Sequence, residues 1–190
     1  MKTREEALTL LHEYTEGESL RRHAYAVEAS IRAYARKFGE DEEKWAITGL
    51  LHDFDYEKYP TPDEHTIVGA RILAEQGYPE DVIYAIRAHA DYNHLDRDTL
   101  LAKALYACDE LSGFVMAVAM VKPSRSVADV EVKSVKKKLK DKAFARGVHR
   151  EDVYNGAVEL AVDLDEHIAF VIGALTEVAP QLGLAGEETA

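Results

Sequence analysis

His52 and Asp53 close an apolar run, Gly49-Leu50-Leu51, and are the sharpest chemical signal in the chain. A neutral imidazole and a carboxylate are good ligands for a borderline divalent metal, and adjacent helical residues can both lean toward one point. The pair alone is an incomplete site. His23 lies mid-helix in Arg22-His23-Ala24, and Asp109 follows Ala107-Cys108 in an otherwise apolar helix. A carboxylate on such a face needs a partner, because a buried unpaired charge is expensive. A metal ion would supply that partner; Arg22 or Arg87 is the alternative. His52-Asp53 also has a second reading, an imidazole that complements the last carbonyls of a helix.

The order His23, His52-Asp53, Asp109 resembles the defining pattern of the HD superfamily of metal-dependent phosphohydrolases, over about residues 18–115. His65, in Glu64-His65-Thr66-Ile67-Val68-Gly69, and His89, in Arg87-Ala88-His89-Ala90, extend the likeness to the subgroup that holds two metals. The resemblance implies an all-α, compact helical bundle with a C-terminal helical extension. It also implies one or two divalent ions (Mn, Fe, Mg, Co, Ni or Zn), with His23, His52 and Asp109 on one, His65 and His89 on the other, and Asp53 bridging. His94 is a rival to His89, and His65 can also be read as a surface residue in the first turn of a helix. A further likeness, to small uncharacterised HD-domain proteins, rests on Ala107-Cys108-Asp109-Glu110-Leu111-Ser112-Gly113 and Val135-Lys136-Lys137-Lys138-Leu139-Lys140 and covers nearly the whole chain.

The implied activity is hydrolysis of a phosphoester or nucleotide by a metal-activated water. A divalent metal makes hydroxide available near neutral pH, and positive charge stabilises the phosphoryl oxygens. Asp53, Asp55 and Glu57 form the expected catalytic set, the last two as proton relays just past the metal pair. Some HD nucleotidases carry a glutamate three residues after the aspartate of the pair. Tyr56 holds that place here and Glu57 the next, which weakens the nucleotidase reading. Lys122 and Arg125, beside Pro123, and Lys133, at the head of the basic run 133–142, are candidate substrate contacts; the run also reads as a solvated helix face. Two other functions fit the same ligands, a di-iron oxygenase and a non-catalytic module that binds metal or nucleotide.

The formal net charge of −12 argues against broad nucleic-acid or anionic-membrane binding and leaves room for a small anionic phosphorylated substrate held by a local positive centre. Cys108 is the single cysteine, so neither a disulfide framework nor a Cys-based zinc knuckle is expected, and the residue reads as core packing. The N-terminal residues lack a signal-peptide apolar stretch and no segment has transmembrane length, so a cytoplasmic protein is expected.

Helices must bring these residues together, and helical periodicity recurs throughout. The pattern predicts helices over 3–14, about 18–38 ending near Gly39, and 41–52. Thr61 is expected to cap a helix that starts at Pro62, has Glu64 as its capping-box partner and runs to Gly77. Pro79 opens the next, about 79–90; Asp98 caps a long one, 99–120; and Ser126-Val-Ala-Asp129 introduces a short basic one. Val153, Ala157, Leu160, Leu164, Ile168, Val171 and Leu175 give one apolar face of a single long C-terminal helix. One domain is expected over 1–185, with a metal-binding core at about 18–115, C-terminal helices at about 126–180 and a flexible tail at 186–190. His12, His149 and His167 have no partner pattern and are not expected to be ligands.

Overall fold

Thr3 opens the first helix with a reciprocal cap: its hydroxyl accepts from Glu6 N (3.2 Å), and its own N–H donates to Glu6 Oε2 (2.8 Å). The computed structural model describes residues 2–186, so all of the expected tail but Gly186 lies outside the described residues. Ten α-helices follow one another: α1 Arg4–Tyr14, α2 Glu18–Phe38, α3 Glu42–Leu51, α4 Ile67–Glu75, α5 Glu80–Ala88, α6 Leu100–Met120, α7 Val132–Leu139, α8 Arg150–Glu159, α9 Leu164–Glu177 and α10 Ala179–Leu182. There is no strand among the described residues, only an isolated bridge between Ser126 and Ala185. The protein is all-α. No helix is long and apolar enough to cross a membrane.

The long helices α2 and α6 form the centre. α3 and α9 pack on α2, and α5, α8 and α9 pack on α6. α2 stops at Gly39, whose φ of 73° a side chain would resist. Trp45, Tyr34, Phe54 and Phe114 are fully buried between these helices, and Cys108 is packed among them as expected. Buried polar groups tie the central pair together: the Ser30 and Ser112 hydroxyls meet at 2.9 Å. His167 is fully buried, accepting from the Tyr34 hydroxyl at Nδ1 (2.6 Å) and donating from Nε2 to Ala107 O (2.9 Å). With both ring nitrogens satisfied it is a structural histidine, joining α9 to α2 and α6.

Three boundaries depart from expectation. The helix expected from Pro62 begins only at Ile67. Thr61 does not cap it; its hydroxyl donates to Glu64 Oε2 (2.8 Å) within a turn that ends at Thr66, φ 63°. The cap comes from far along the chain, because Asp55 Oδ2 accepts from Thr66 N (3.0 Å) and Gly69 N (2.8 Å). At α6 the cap is Thr99 rather than Asp98, its hydroxyl accepting from Ala102 N (3.2 Å). The single C-terminal helix is two helices. Ala161 takes a left-handed φ of 56°, and Asp163 restarts the chain by accepting from Asp165 N (2.9 Å) and Glu166 N (3.1 Å). The apolar positions keep helical spacing across the break, but α8 lies on α6 whereas α9 reaches α2 as well.

The α6–α8 contact is unusually close. A Cβ on Gly156 would sit 2.6 Å from Ala107 Cα, so only glycine lets the two backbones approach this far. Gly156→Ala is expected to lower unfolding stability by about 1–3 kcal/mol through overpacking. Urea unfolding monitored by circular dichroism measures the change, and an unaltered midpoint would show that α8 can shift without cost.

Candidate metal centre

Five elements contribute one or two side chains each to a single point. His23 projects from the middle of α2, His52 and Asp53 from the end of α3, His65 from the turn before α4, His89 from the end of α5 and Asp109 from the middle of α6. His23 Nε2 lies 2.9 Å from Asp109 Oδ1, and His52 Nε2 lies 3.3 Å from the same oxygen and 3.4 Å from Asp53 Oδ2. Asp53 Oδ1 has His65 Nε2 at 3.1 Å and His89 Nε2 at 3.2 Å. His52 is fully buried; Asp53 and Asp109 remain about a fifth exposed, so the cluster is reachable from solvent.

Three of the imidazoles are fixed from behind. His52 Nδ1 donates to Gly49 O (2.7 Å), His89 Nδ1 to Ile86 O (2.6 Å) and His65 Nδ1 to Asp55 Oδ1 (2.8 Å). A neutral ring tethered in this way presents an Nε2 lone pair, here aimed at two carboxylates that also only accept. His52 Nε2 is buried with no hydrogen-bond partner. Acceptors facing acceptors is an unfavourable arrangement unless protons or metal ions stand between them. Two overlapping sets of donor atoms in the cluster, His23–His52–Asp109 and His52–Asp53–His89, converge closely enough to hold an ion and share His52 Nε2; a third set, Glu110–His149–Asp152, lies beside them. Histidine and carboxylate donors with second nitrogens held by carbonyl or carboxylate fit a divalent transition metal.

Electrostatics in the ion-free cluster follow from the same crowding. Burial alone would lower the pKa of His52, but Asp53 and Asp109 outweigh it and hold it well above the ordinary range. Burial opposes the charge of Asp53 and Asp109 too, yet the facing histidines keep both well below the usual carboxylate range. His65, pushed down by burial and up by Asp53 and Asp55, ends at about 9. Protons and metal ions therefore compete for the same nitrogens.

Residues 20–113 match the model of the HD domain family, a segment that contains all six clustered side chains. The chain carries an HD domain. HD domains are metal-dependent phosphohydrolases as a family, and the described residues include His/Asp groups able to hold such an ion. Among curated relatives, ribonuclease Y of Nitratidesulfovibrio vulgaris (strain DP4) is 35% identical over 97 residues, covering 48% of this chain and 17% of that protein. Ribonuclease Y of Oleidesulfovibrio alaskensis is 30% identical over 92 residues, again 48% and 17%. The chain thus spans under a fifth of the length of these relatives.

The other expected site residues go elsewhere. Asp55 uses one oxygen to accept from His65 and the other to cap α4. Glu57 turns to the α1–α2 loop, accepting from Glu16 N and Gly17 N. In the structure both take up supporting contacts. Lys122 and Arg125 lie beyond the end of α6, and at 1.5 Å per residue Lys122 is about 20 Å along from Asp109. Lys133 pairs with Glu131 (3.0 Å) and lines a separate concavity with Lys136, Lys137, Lys140 and Asp165. The cavity that opens on the HD cluster, about 460 Å³, is lined instead by Tyr92, Tyr106, Glu110 and residues 149–152 beside His89 and Asp109. Glu110 was not singled out from sequence, and its adjacency to Asp109 was the available signal. Its carboxyl is pushed up to about 8, by burial first and by the neighbouring Asp109 second. His94 lies outside the groups of converging donors; His89 is the one brought in.

The raised His65 fixes a pH dependence. A group whose folded pKa of about 9 exceeds its ordinary 6.5 stabilises the ion-free fold fully below about 6.5, and this contribution is lost as pH rises through about 9. Metal binding needs the deprotonated ring and gains over the same interval. Thermal unfolding between pH 6 and 10 is expected to show metal-stripped protein losing stability while the increment from added Mn²⁺ grows. Parallel curves with and without metal would remove His65 from the ion site.

Proposed function

We propose that the chain is a metal-dependent phosphohydrolase whose HD cluster holds one or two divalent ions through His23, His52, Asp53, His65, His89 and Asp109. The observation that carries this reading is the set of tethered imidazoles aimed at two carboxylates, with His52 Nε2 buried and unpartnered. His23, His52 and Asp109 converge as one donor set, and His52, Asp53 and His89 as the other. His65 reaches the second through Asp53 Oδ1, and Asp53, which faces His52 with Oδ2 and His65 and His89 with Oδ1, would be the carboxylate shared between two ions.

An ion held by these residues would supply a hydroxide nucleophile near neutral pH and polarise a phosphoryl oxygen. The protein's part is positioning. Gly49 O, Ile86 O and Asp55 lock three rings so that little reorganisation is needed when a substrate enters. Glu110 lines the cavity wall beside Asp109, within reach of an entering ester, and a carboxyl so placed would serve as general acid to a leaving oxygen. The curated relatives are ribonucleases by name, which supports phosphodiester as well as phosphomonoester chemistry for the shared HD segment.

Elemental analysis and turnover test the reading together, on protein purified without a metal-affinity tag. Wild type is expected to carry one or two divalent ions per chain and to hydrolyse aryl phosphates or phosphodiesters. His52→Ala should lose both metal and activity, and Asp55→Asn should weaken metal affinity about 10–100-fold by loosening His65. A metal-loaded protein that cleaves no phosphoester would sink the reading. Two irons with an oxidation-dependent visible spectrum would replace it by an oxygenase, and nucleotide binding without turnover by a binding module.

A further inference from the structure

The cavity beside the HD cluster has a charge pattern that the hydrolase reading does not by itself require. Beyond Asp109 and Glu110 its wall carries the carboxylates Asp91, Glu151 and Asp152, together with His149. Its basic residue is Arg150, and every N–H of that guanidinium is already committed: Nε to Leu139 O, one terminal nitrogen to Ala145 O and Val148 O, the other to Asp141 O and Phe144 O. Arg150 therefore folds the 139–148 segment and offers no donor to a substrate. Arg97 holds Asp91 (2.8 Å) but is also paired through two nitrogens with Glu159 (2.7 Å each). Glu110 and Glu151 have no Lys or Arg partner among the described residues, and Asp152 has only the Tyr106 hydroxyl (3.1 Å) and His149 (3.5 Å).

A single phosphate can be matched by ions in the HD cluster, whose two carboxylates neutralise only part of their charge. A second phosphate, or a carboxylate, on the rest of the substrate would then face Glu151 and Asp152 with no free lysine or arginine to receive it, and with His149 drawn to Asp152 (3.5 Å). A neutral group meets no such opposition, and an ammonium group meets complementary carboxylates beside the exposed ring of Tyr92. Residues 149–152 lie outside the segment matched by the HD family, so this wall is supplied by the chain's own α8.

We propose that this cavity selects its substrate by charge: it admits phosphoesters with one phosphate whose other half is neutral or cationic and rejects polyphosphates and polynucleotides, with Glu151 and Asp152 as the specificity-determining residues. The inference rests on the phosphohydrolase reading for the placement of the phosphate. It adds what lies beyond that phosphate.

A series of near-isosteric ligands tests it on Mn²⁺-loaded full chain by calorimetry: phosphorylcholine, its uncharged carbon analogue 3,3-dimethylbutyl phosphate, and 3-carboxypropyl phosphate. The cationic and neutral esters are expected to bind at least about tenfold more tightly than the carboxylate. Added salt should compress the spread, and so should the double variant Glu151→Gln, Asp152→Asn. Equal or tighter binding of the anionic ester, a spread unchanged in the double variant, binding of none of the three, or an RNA oligonucleotide bound more tightly than a mononucleotide would each overturn the inference. Turnover of p-nitrophenyl phosphate in the same samples keeps the two claims apart. Hydrolysis without charge discrimination removes the inference and leaves the hydrolase, whereas discrimination without hydrolysis removes the hydrolase alone.

Discussion

Two carboxylates, Asp53 and Asp109, face a group of imidazole nitrogens in the interior of a helical bundle, and the centre of the structure is organised around that confrontation. Without positive charge between them the arrangement is strongly unfavourable, since lone pairs meet lone pairs in a poorly solvated space. Protons supply the charge in the ion-free protein, which is why His52 and His65 are held above their ordinary range and the aspartates below theirs. Metal ions supply it better, because each can satisfy several donors at once. The cluster is thus a site under tension that a cation relieves, and the helices around it hold that tension.

They do so by close packing and by tethers. α2 and α3 meet where Gly49 lies against Glu28, with room for no side chain: a Cβ there would stand 2.9 Å from Ile31 Cδ1 and 3.0 Å from the Glu28 backbone. The carbonyl of that same Gly49 holds His52 Nδ1, so the helix contact and the ring orientation are set by one residue. Asp55 performs a comparable double task. It starts α4 by accepting from Thr66 N and Gly69 N, and its other oxygen orients His65. A substitution at either position would act on fold and site together.

The clustering of these histidines and aspartates was legible in the sequence because it depends on residue type and order along helices whose periodicity is strong. His23, His52-Asp53, His65, His89 and Asp109 could be named before any geometry was known, and the all-α class with them. The supporting residues were not legible, for physical reasons. Asp55 lies two positions past the metal pair and looks like a proton relay, but its partners, Thr66 and Gly69, come from a separate segment that only the tertiary fold brings near. For the same reason Thr61-Pro62 reads as a helix start: a local cap signature is present, yet the long-range cap from Asp55 sets the true beginning at Ile67. The apolar spacing across 153–175 persists through Ala161, so periodicity concealed a break that the Asp163-Leu-Asp-Glu cap signature could have revealed.

Charge placement was the least legible feature, because clustering along the sequence says nothing about proximity to the site. The lysines of α7 are dense in sequence, yet they lie on a separate concavity where Lys136 meets Asp165 and Lys133 meets Glu131. Arg150 does reach the wall of the HD cavity, but its donors are consumed in folding the segment before it. Positive charge is therefore kept away from the one place where a phosphorylated substrate would meet it, apart from the ions themselves. In an enzyme that relied on surface cations to gather a polyanion, the basic helix and the catalytic cavity would be expected to share a continuous groove. Here carboxylates from α8 stand in that position, so on the proposed reading affinity would come from a phosphate bound at the HD cluster and discrimination from what the acidic wall repels.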